Sequence, residues 1–454
     1  MNKSLVLISY LLLNFAIPFG QTKQDKLFAK SLDQFLSTKF KPTEPGCAVL
    51  IAKKGTVIYK KAFGSASIEL NTAVQPNMVF NIGSITKQFT AVAILQLVEQ
   101  GKLSLQDSLQ KYVKTFPSKG HIITIENLLT HTSGIKDYLQ IDYGQPFMER
   151  WDFSPVAIID SFKNQPLEFE PGTKFQYSNS GYFLLGYIIE TITGKTWQEY
   201  LKQNIFLPLG LAHTYTDSPA EIIPRRVYGY MNNTGHFEKA DYWSATLPYS
   251  AGAIISNVED LYNWHKGLYQ YKILKKETLD KAFTPFKLKN GLSTGYGYGW
   301  FVKNSNNFSS IEHAGGMVGF VSNEIYYPDE DVFIALLFNS GNAPKDDLSV
   351  RISEWALGRS LQPDIKIDES ILSKYTGTYL FTLDSNRTII IKEYQESLIA
   401  EISGQGTLPL IFESETKFQF KGVLDAKAEF IKEDDRVIKF IINQNGMYEW
   451  IKRK

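Results

Sequence analysis

Ser84 and Lys87 stand three residues apart in the stretch Phe80-Asn81-Ile82-Gly83-Ser84-Ile85-Thr86-Lys87. If a helix begins near Ser84, that spacing sets the amine one turn beyond the hydroxyl on the same face. A serine hydroxyl is a weak nucleophile at neutral pH and needs an adjacent base, and a lysine can be that base once desolvation lowers its pKa. The pattern alone decides nothing, because Ser-x-x-Lys recurs at Ser108 to Lys111, Ser133 to Lys136 and Ser414 to Lys417. On these residues alone, Ser84 as a helix cap and Lys87 as a solvated side chain is an equally good account.

The surroundings separate the first copy from the rest. Phe89, Ala91, Val92, Ala93, Ile94, Leu95, Leu97 and Val98 follow it, apolar on nearly every side, up to Gly101-Lys102. This reads as a buried helix with a glycine stop. A cation at the start of such a helix is costly unless neutral or paired, a demand the other copies do not face.

The elements that position this pair are read from periodicity. Residues from Lys26 to Phe40 have helical spacing, and Cys47 to Ala52 with Val57 to Phe63 form a hairpin across Gly55. The stretch from Lys136 to about Pro171 has no sustained period and suits a cleft wall, as does the tyrosine-rich 208–248 segment. A second buried helix runs from Tyr182 to Thr193, placing Tyr177 and Asn179 on the loop that enters it. Ser256-Asn257-Val258-Glu259-Asp260 reads as a cap opening a helix through Leu268. Strands are expected at Ile311 to Gly316, Gly319 to Tyr327 and Val332 to Asn339, then a helix from about Lys345 to Leu357.

From Gly358 to Asp368 the pattern gives way to a polar linker with Pro363. Beyond it, short alternating strands at Tyr375 to Tyr379, Thr388 to Lys392, Leu398 to Ile402, Phe418 to Phe420, Ala428 to Ile431 and Val437 to Ile442 indicate a small all-β barrel or sandwich. The expected organisation is residues 1–20 as a signal peptide, 21–362 as the chemical domain and 363–454 as the β domain.

Composition bounds the function. The 454 residues are 43% hydrophobic and 21% charged, which is ordinary for a globular chain of more than one domain. With 48 basic and 47 acidic residues the net charge is +1, and no basic run or helix face argues for nucleic acid. Asn2-Lys3 followed by the apolar stretch Leu5 to Ile17 reads as an export signal cleaved near Gly20, although Pro18 departs from the small-x-small rule and an uncleaved anchor is the competing reading. No later apolar run is long enough to span a membrane. Cys47, the one cysteine, excludes an intramolecular disulfide and reads as a buried apolar filler. The six histidines lack metal-ligand spacing, so neither a metal nor another cofactor is called for.

Three pieces then fall in order: Ser84-Ile85-Thr86-Lys87, Tyr177-Ser178-Asn179, and His313-Ala314-Gly315-Gly316. With Phe80-Asn81-Ile82-Gly83, Leu128 to Gly134, Pro171-Gly172 and the glycine-aromatic run 295–300, they resemble the serine β-lactamase and penicillin-binding superfamily. The likeness is nearest to its class C-like branch of D-amino-acid peptidases and esterases, over roughly residues 25 to 358. It implies an α/β fold, an antiparallel sheet flanked by helices with a helical region. It also implies that Ser84 forms an acyl-enzyme, that Lys87 and Tyr177 share the proton work with either as base, that Asn179 positions the amine or a substrate amide, and that the N–H groups of Ser84 and Gly316 form an oxyanion hole beside Gly315.

The chain departs from the β-lactamases at the third motif, where His313 stands in place of their Lys-Thr-Gly lysine. Histidine at pH ~7 is mostly neutral and supplies no permanent charge for a substrate carboxylate. An ester, amide or short peptide is therefore the expected substrate, with weak or no β-lactamase activity; a hydrogen-bonded His313 without chemical role is the plainer alternative. The competing function is a non-catalytic or slowly deacylating penicillin- or peptidoglycan-binding sensor.

Overall fold

A computed structural model describes residues 22–141, 148–218, 220–233, 235–304, 308–358, 367–382, 384–394, 397–403, 406–421, 423, 427–443 and 447–453. The signal segment and most of the Gly358 to Asp368 linker lie outside the described residues.

The first core is built on a six-stranded antiparallel sheet whose strands come from both ends of the domain. In chain order they are β1 (Cys47–Lys53), β2 (Thr56–Phe63), β3 (Phe301–Asn304), β4 (Ser309–Met317), β5 (Phe320–Tyr327) and β6 (Val332–Phe338), arranged β3-β4-β5-β6-β1-β2. The register of β1 on β6, with Cys47 opposite Phe338 and Lys53 opposite Val332, closes the sheet around its two most apolar strands. Both are buried on two faces, which explains their unbroken apolar runs. Ala48, Leu50 and Ala52 face the helical region, whereas Cys47, Val49 and Ile51 face the helices Lys23–Lys39 and Lys345–Ala356. Burial pushes the Cys47 thiol pKa up, so the side chain stays protonated and serves as packing.

The serine segment enters as a short 3₁₀ turn, Gly83–Ile85, that continues into the helix Thr86–Glu99, buried from Thr86 to Leu97. Several of its polar side chains are paired within the core. Thr90 Oγ1 donates to the Ser250 carbonyl at 2.7 Å, and Trp264 Nε1 donates to Gln88 Oε1 at 2.9 Å while the Trp264 ring stacks on Phe89 at 4.0 Å. The helix ends where Gly101 takes a φ of 68° and Lys102 N returns to the Leu97 carbonyl at 3.0 Å.

Asn179 is the first residue of the helix Asn179–Thr193, one turn earlier than periodicity indicates. The apolar pattern begins only at Tyr182 because the first turn is held by polar contacts: Ser180 Oγ donates to the Lys136 carbonyl at 2.7 Å and accepts from Tyr138 N at 2.9 Å.

The second core is a closed eight-stranded antiparallel barrel from Gly377 to Lys452. The expected strand at Tyr375 to Tyr379 divides instead: Asp368 caps a helix, Glu369–Tyr375, whose Leu372 and Tyr375 are buried in the barrel core, and the strand is Gly377–Phe381. Two strands escaped the sequence reading. Gly406–Phe412 contains Pro409, which lacks an N–H but lies opposite Ile399 and accepts from Lys421 N at 2.8 Å, and Met447–Lys452 closes the barrel onto Gly377–Phe381. The interior is filled by aromatics, among them Phe418 stacked on Phe430 at 4.5 Å.

Candidate active site

Ser84 is half-buried at the cleft, and Lys87 behind it is fully buried. Lys87 Nζ lies 3.1 Å from Ser84 Oγ, 2.9 Å from Asn179 Oδ1 and 2.9 Å from the Ala251 carbonyl oxygen, and 4.7 Å from the centre of the Tyr177 ring. No carboxylate touches it among the described residues. Burial lowers its pKa to about 7, against the opposing charge of Asp137. A neutral amine has two N–H donors and one lone pair, so donation to Asn179 and Ala251 leaves the lone pair for the Ser84 hydroxyl proton.

Asn179 is fixed by its own partner. Its Nδ2 and backbone N–H donate to Asp137 Oδ2 at 2.9 and 3.1 Å, which assigns the other amide atom, Oδ1, to Lys87. Asp137 Oδ1 accepts from Leu139 N at 3.0 Å. The carboxylate is buried and faces N–H donors on both oxygens.

Tyr177 is held by stacking. The His131 ring lies 4.2 Å from it at an interplanar angle of 30°, and His131 Nδ1 accepts from Ser178 N at 3.1 Å. That hydrogen bond makes His131 a neutral Nε2–H tautomer, and burial with the nearby Lys87 and His313 holds its pKa well below the ordinary histidine value. Burial pushes the Tyr177 phenol pKa up, partly offset by its hydrogen bond with the Ser84 side chain.

His313 sits one layer behind Tyr177, with ring centres 6.2 Å apart. Nδ1 lies 2.7 Å from its neighbour's carbonyl at Ala314, so it carries the proton, and Nε2 accepts from the Tyr296 hydroxyl at 3.0 Å. Burial, then the Lys87 charge, brings the His313 pKa down to about 3, leaving a neutral ring with both nitrogens engaged.

Gly315 and Gly316 allow β4 to lie against the serine turn. A Cβ at Gly315 would fall 1.9 Å from the Ile82 carbonyl oxygen, and one at Gly83, whose φ is 51°, would fall 2.6 Å from Gly316 N. Ser322 Oγ pins the same turn by donating to the Ile82 carbonyl at 2.8 Å. The Gly316 backbone thus borders the Ser84 turn at the cleft mouth, where Gly316 is exposed. Beyond it, between Asn81 and Met317, opens a cavity of about 300 Å³.

Ser84, Lys87, Tyr177 and Asn179 are therefore brought into one cluster; His313 joins it through ring packing, and Gly315 and Gly316 through the backbone. Sequence reasoning missed Asp137, the Ala251 carbonyl and Tyr296, and singled out no role for His131. A lone acid in an aperiodic stretch carries no spacing signal, and a backbone carbonyl carries none at all. The rival Ser-x-x-Lys copies lead elsewhere: Lys111 pairs with Asp107 at 2.9 Å on the surface, and Ser414 Oγ accepts from Lys417 N at 3.0 Å within a turn. Among the described residues no group of three histidine, cysteine or acidic side chains is placed to hold a metal ion, and no helix is long and apolar enough to cross a membrane.

A family model described as Beta-lactamase matches residues 28–358. Penicillin-binding protein 4* of Bacillus subtilis (strain 168) is 31% identical over 457 aligned residues, spanning 94% of this chain and 98% of that protein. The octameric penicillin-binding protein homologue from Pyrococcus abyssi is similar in structure with a TM-score of 0.66 at 26% identity, covering 94% of this chain and 100% of that one. A D-stereospecific amidohydrolase from Streptomyces sp. shares the fold over 72% of this chain and 97% of its own, with a TM-score of 0.61 at 23% identity. The chain belongs to the beta-lactamase family, with a C-terminal eight-stranded barrel following the hydrolase fold.

Proposed function

We propose that this chain is an exported serine hydrolase that forms an acyl-enzyme on Ser84 and hydrolyses an ester or a D-amino-acid-type amide or peptide bond, with weak or no turnover of β-lactams. The single observation that carries this reading is the buried Lys87 amine, shared among Ser84 Oγ, Asn179 Oδ1 and the Ala251 carbonyl, with no carboxylate in contact with it among the described residues.

Lys87 accepts the hydroxyl proton as Ser84 Oγ bonds to the substrate carbonyl carbon. The carbonyl oxygen takes the electron pair and is met by the Ser84 and Gly316 N–H groups, each such donor being worth roughly 2.7–4 kcal/mol in comparable hydrolases. Tyr177 stays a phenol because burial raises its pKa, which favours it as the group that passes a proton to the leaving oxygen or nitrogen and is reprotonated from Lys87. Water then attacks the acyl carbon by the reverse proton route and Ser84 is freed. A 31% identical penicillin-binding relative supports an acyl-accepting serine. The neutral His313, where β-lactamases carry a fixed cation, supports poor β-lactam turnover. Export rests on the n- and h-regions at the start of the sequence.

A hydrolysis screen across p-nitrophenyl esters, D-amino-acid amides and a chromogenic cephalosporin tests the reading. Turnover of the first or second class, lost in Ser84→Ala, is the expected result; an acyl adduct that persists for hours on every substrate indicates the sensor instead.

A further inference from the structure

Among the described residues the Tyr177 ring packs against His131, Phe301, His313 and Tyr296, and Tyr296 touches the other three. Its ring centre lies 4.7 Å from His131, 4.7 Å from Phe301 and 5.8 Å from His313, and the side chain is fully buried. The turn that carries it is held on both sides. The Tyr296 carbonyl accepts from Phe286 N at 2.9 Å, and Gly297, where a Cβ would fall 2.0 Å from the Ala282 carbonyl oxygen, donates to the Trp300 carbonyl at 2.8 Å. Tyr296 is thus the hub of the ring layer behind the Tyr177 phenol.

Its hydroxyl meets two partners with one proton. His313 Nε2 lies at 3.0 Å, and the Tyr182 hydroxyl is also within hydrogen-bonding reach. Tyr182 donates its own proton to the Leu129 carbonyl at 2.8 Å, and His313 Nδ1 donates to the Ala314 carbonyl at 2.7 Å. The chain from Leu129 to Ala314 therefore has four contacts and, with a neutral imidazole, three protons to fill them. If Tyr296 turned its proton to Tyr182, His313 Nε2 would stand bare unless the ring took up a second proton. All four contacts would then be filled, with an imidazolium behind Tyr177. The direction of one O–H bond separates a neutral layer from a charged one.

A charge there acts on both proton carriers of the site. An imidazolium whose ring centre lies 6.2 Å from that of Tyr177 favours phenolate and repels a protonated Lys87. We infer that Tyr296 is a positioning residue of the reaction: by donating its hydroxyl proton to His313 it fixes that ring as the neutral Nδ1–H tautomer and keeps positive charge out of the layer behind Tyr177. The inference rests on the acyl-transfer reading, in which Tyr177 works as a phenol and Lys87 as an amine. The groups facing His313 are Tyr177, His131, Lys87, Tyr296 itself and Glu324, opposite it on β5. Lys87 and His131 oppose a positive ring, and Glu324 is uncharged below its pKa of about 8.

Tyr296→Phe keeps the ring and removes only the proton, so two readouts test the role. The first is the rate at which a fluorophosphonate labels Ser84 at pH ~7. Tyr296→Phe should lower it about three- to tenfold, the scale of one lost hydrogen bond, and should change it less than about twofold in a His313→Leu background, because the hydroxyl acts through His313. The second is the histidine ¹⁵N spectrum between about pH 5 and pH 8, with His313 assigned by its loss in His313→Leu. The wild type should hold one Nδ1-protonated tautomer throughout, whereas in Tyr296→Phe the His313 signals should move toward imidazolium at the acid end. Should His313→Leu fail to fold, His313→Gln supplies the assignment and the spectra decide. Rate losses of equal size in both backgrounds, or a His313 spectrum that Tyr296→Phe leaves unaltered, overturn the assignment. Failure of the underlying catalytic reading is seen separately, as labelling that persists in Ser84→Ala.

Discussion

Lys87 and Asp137 are joined through one amide: Asn179 accepts from the amine on Oδ1 at 2.9 Å and donates to the carboxylate from Nδ2 at 2.9 Å. The acid is thus near enough to raise the lysine pKa yet is kept from forming an ion pair with it. Desolvation outweighs it, and the amine is poised near neutrality.

Replacing Asp137 by Asn follows from that arrangement. With the charge gone the Lys87 pKa falls further, so the acid limb of the acylation rate should move below its wild-type midpoint. The plateau should drop about tenfold to a hundredfold, because Asn179 loses the partner that fixes its amide. A pH–rate profile measures both effects, and a lower plateau with an unmoved limb would assign Asp137 to structure alone.

Gly315→Ala places a methyl group 1.9 Å from the Ile82 carbonyl oxygen, a backbone atom that cannot give way as the end of a flexible side chain could. The β4 strand and the serine turn must separate. Acylation should fall by about two orders of magnitude, the scale for loss of one oxyanion donor, while circular dichroism remains native. Wild-type rates in this variant would show that the close approach is not needed for catalysis.

Glu324, opposite His313 on β5, is 6% exposed, and its Oε2 has no hydrogen-bond partner among the described residues. Burial raises its pKa from 4.5 to about 8. Between those values the folded state keeps a proton that the unfolded chain has lost, so stability falls as pH rises through that window. Glu324→Gln should remove this decline, and the variant should be the more stable by a few kcal/mol near pH ~8, with little difference near pH ~4. Parallel slopes of denaturation midpoint against pH for the two proteins would contradict the assignment.

The sequence carried the site as an ordered set of motifs, and that order survives folding because each motif sits where a helix or strand begins or ends at the cleft. Ser84 precedes a buried helix whose apolar run marks it, and Gly315-Gly316 stand out as a glycine pair near the end of β4. Asp137 and the Ala251 carbonyl do not, since they act through atoms placed by tertiary packing. Asn179 was displaced to a loop because its helix starts in polar residues, before the apolar pattern that marks a helix. In the barrel, Pro409 hid one strand and the short segment Met447–Lys452 another, although closure requires both.

The central claim is that Ser84 is acylated with a neutral Lys87 as its base. Its most direct measurement is the rate of fluorophosphonate labelling followed by intact mass and peptide mapping, from about pH 5 to about pH 9, on the wild type, Ser84→Ala and Lys87→Met. The account predicts one adduct on Ser84, a rate that rises through a midpoint near the Lys87 pKa of about 7 and then levels, no adduct in Ser84→Ala, and a fall of about 10²–10⁴-fold in Lys87→Met. An adduct that persists in Ser84→Ala, or a Lys87→Met variant that labels at the wild-type rate, would contradict it.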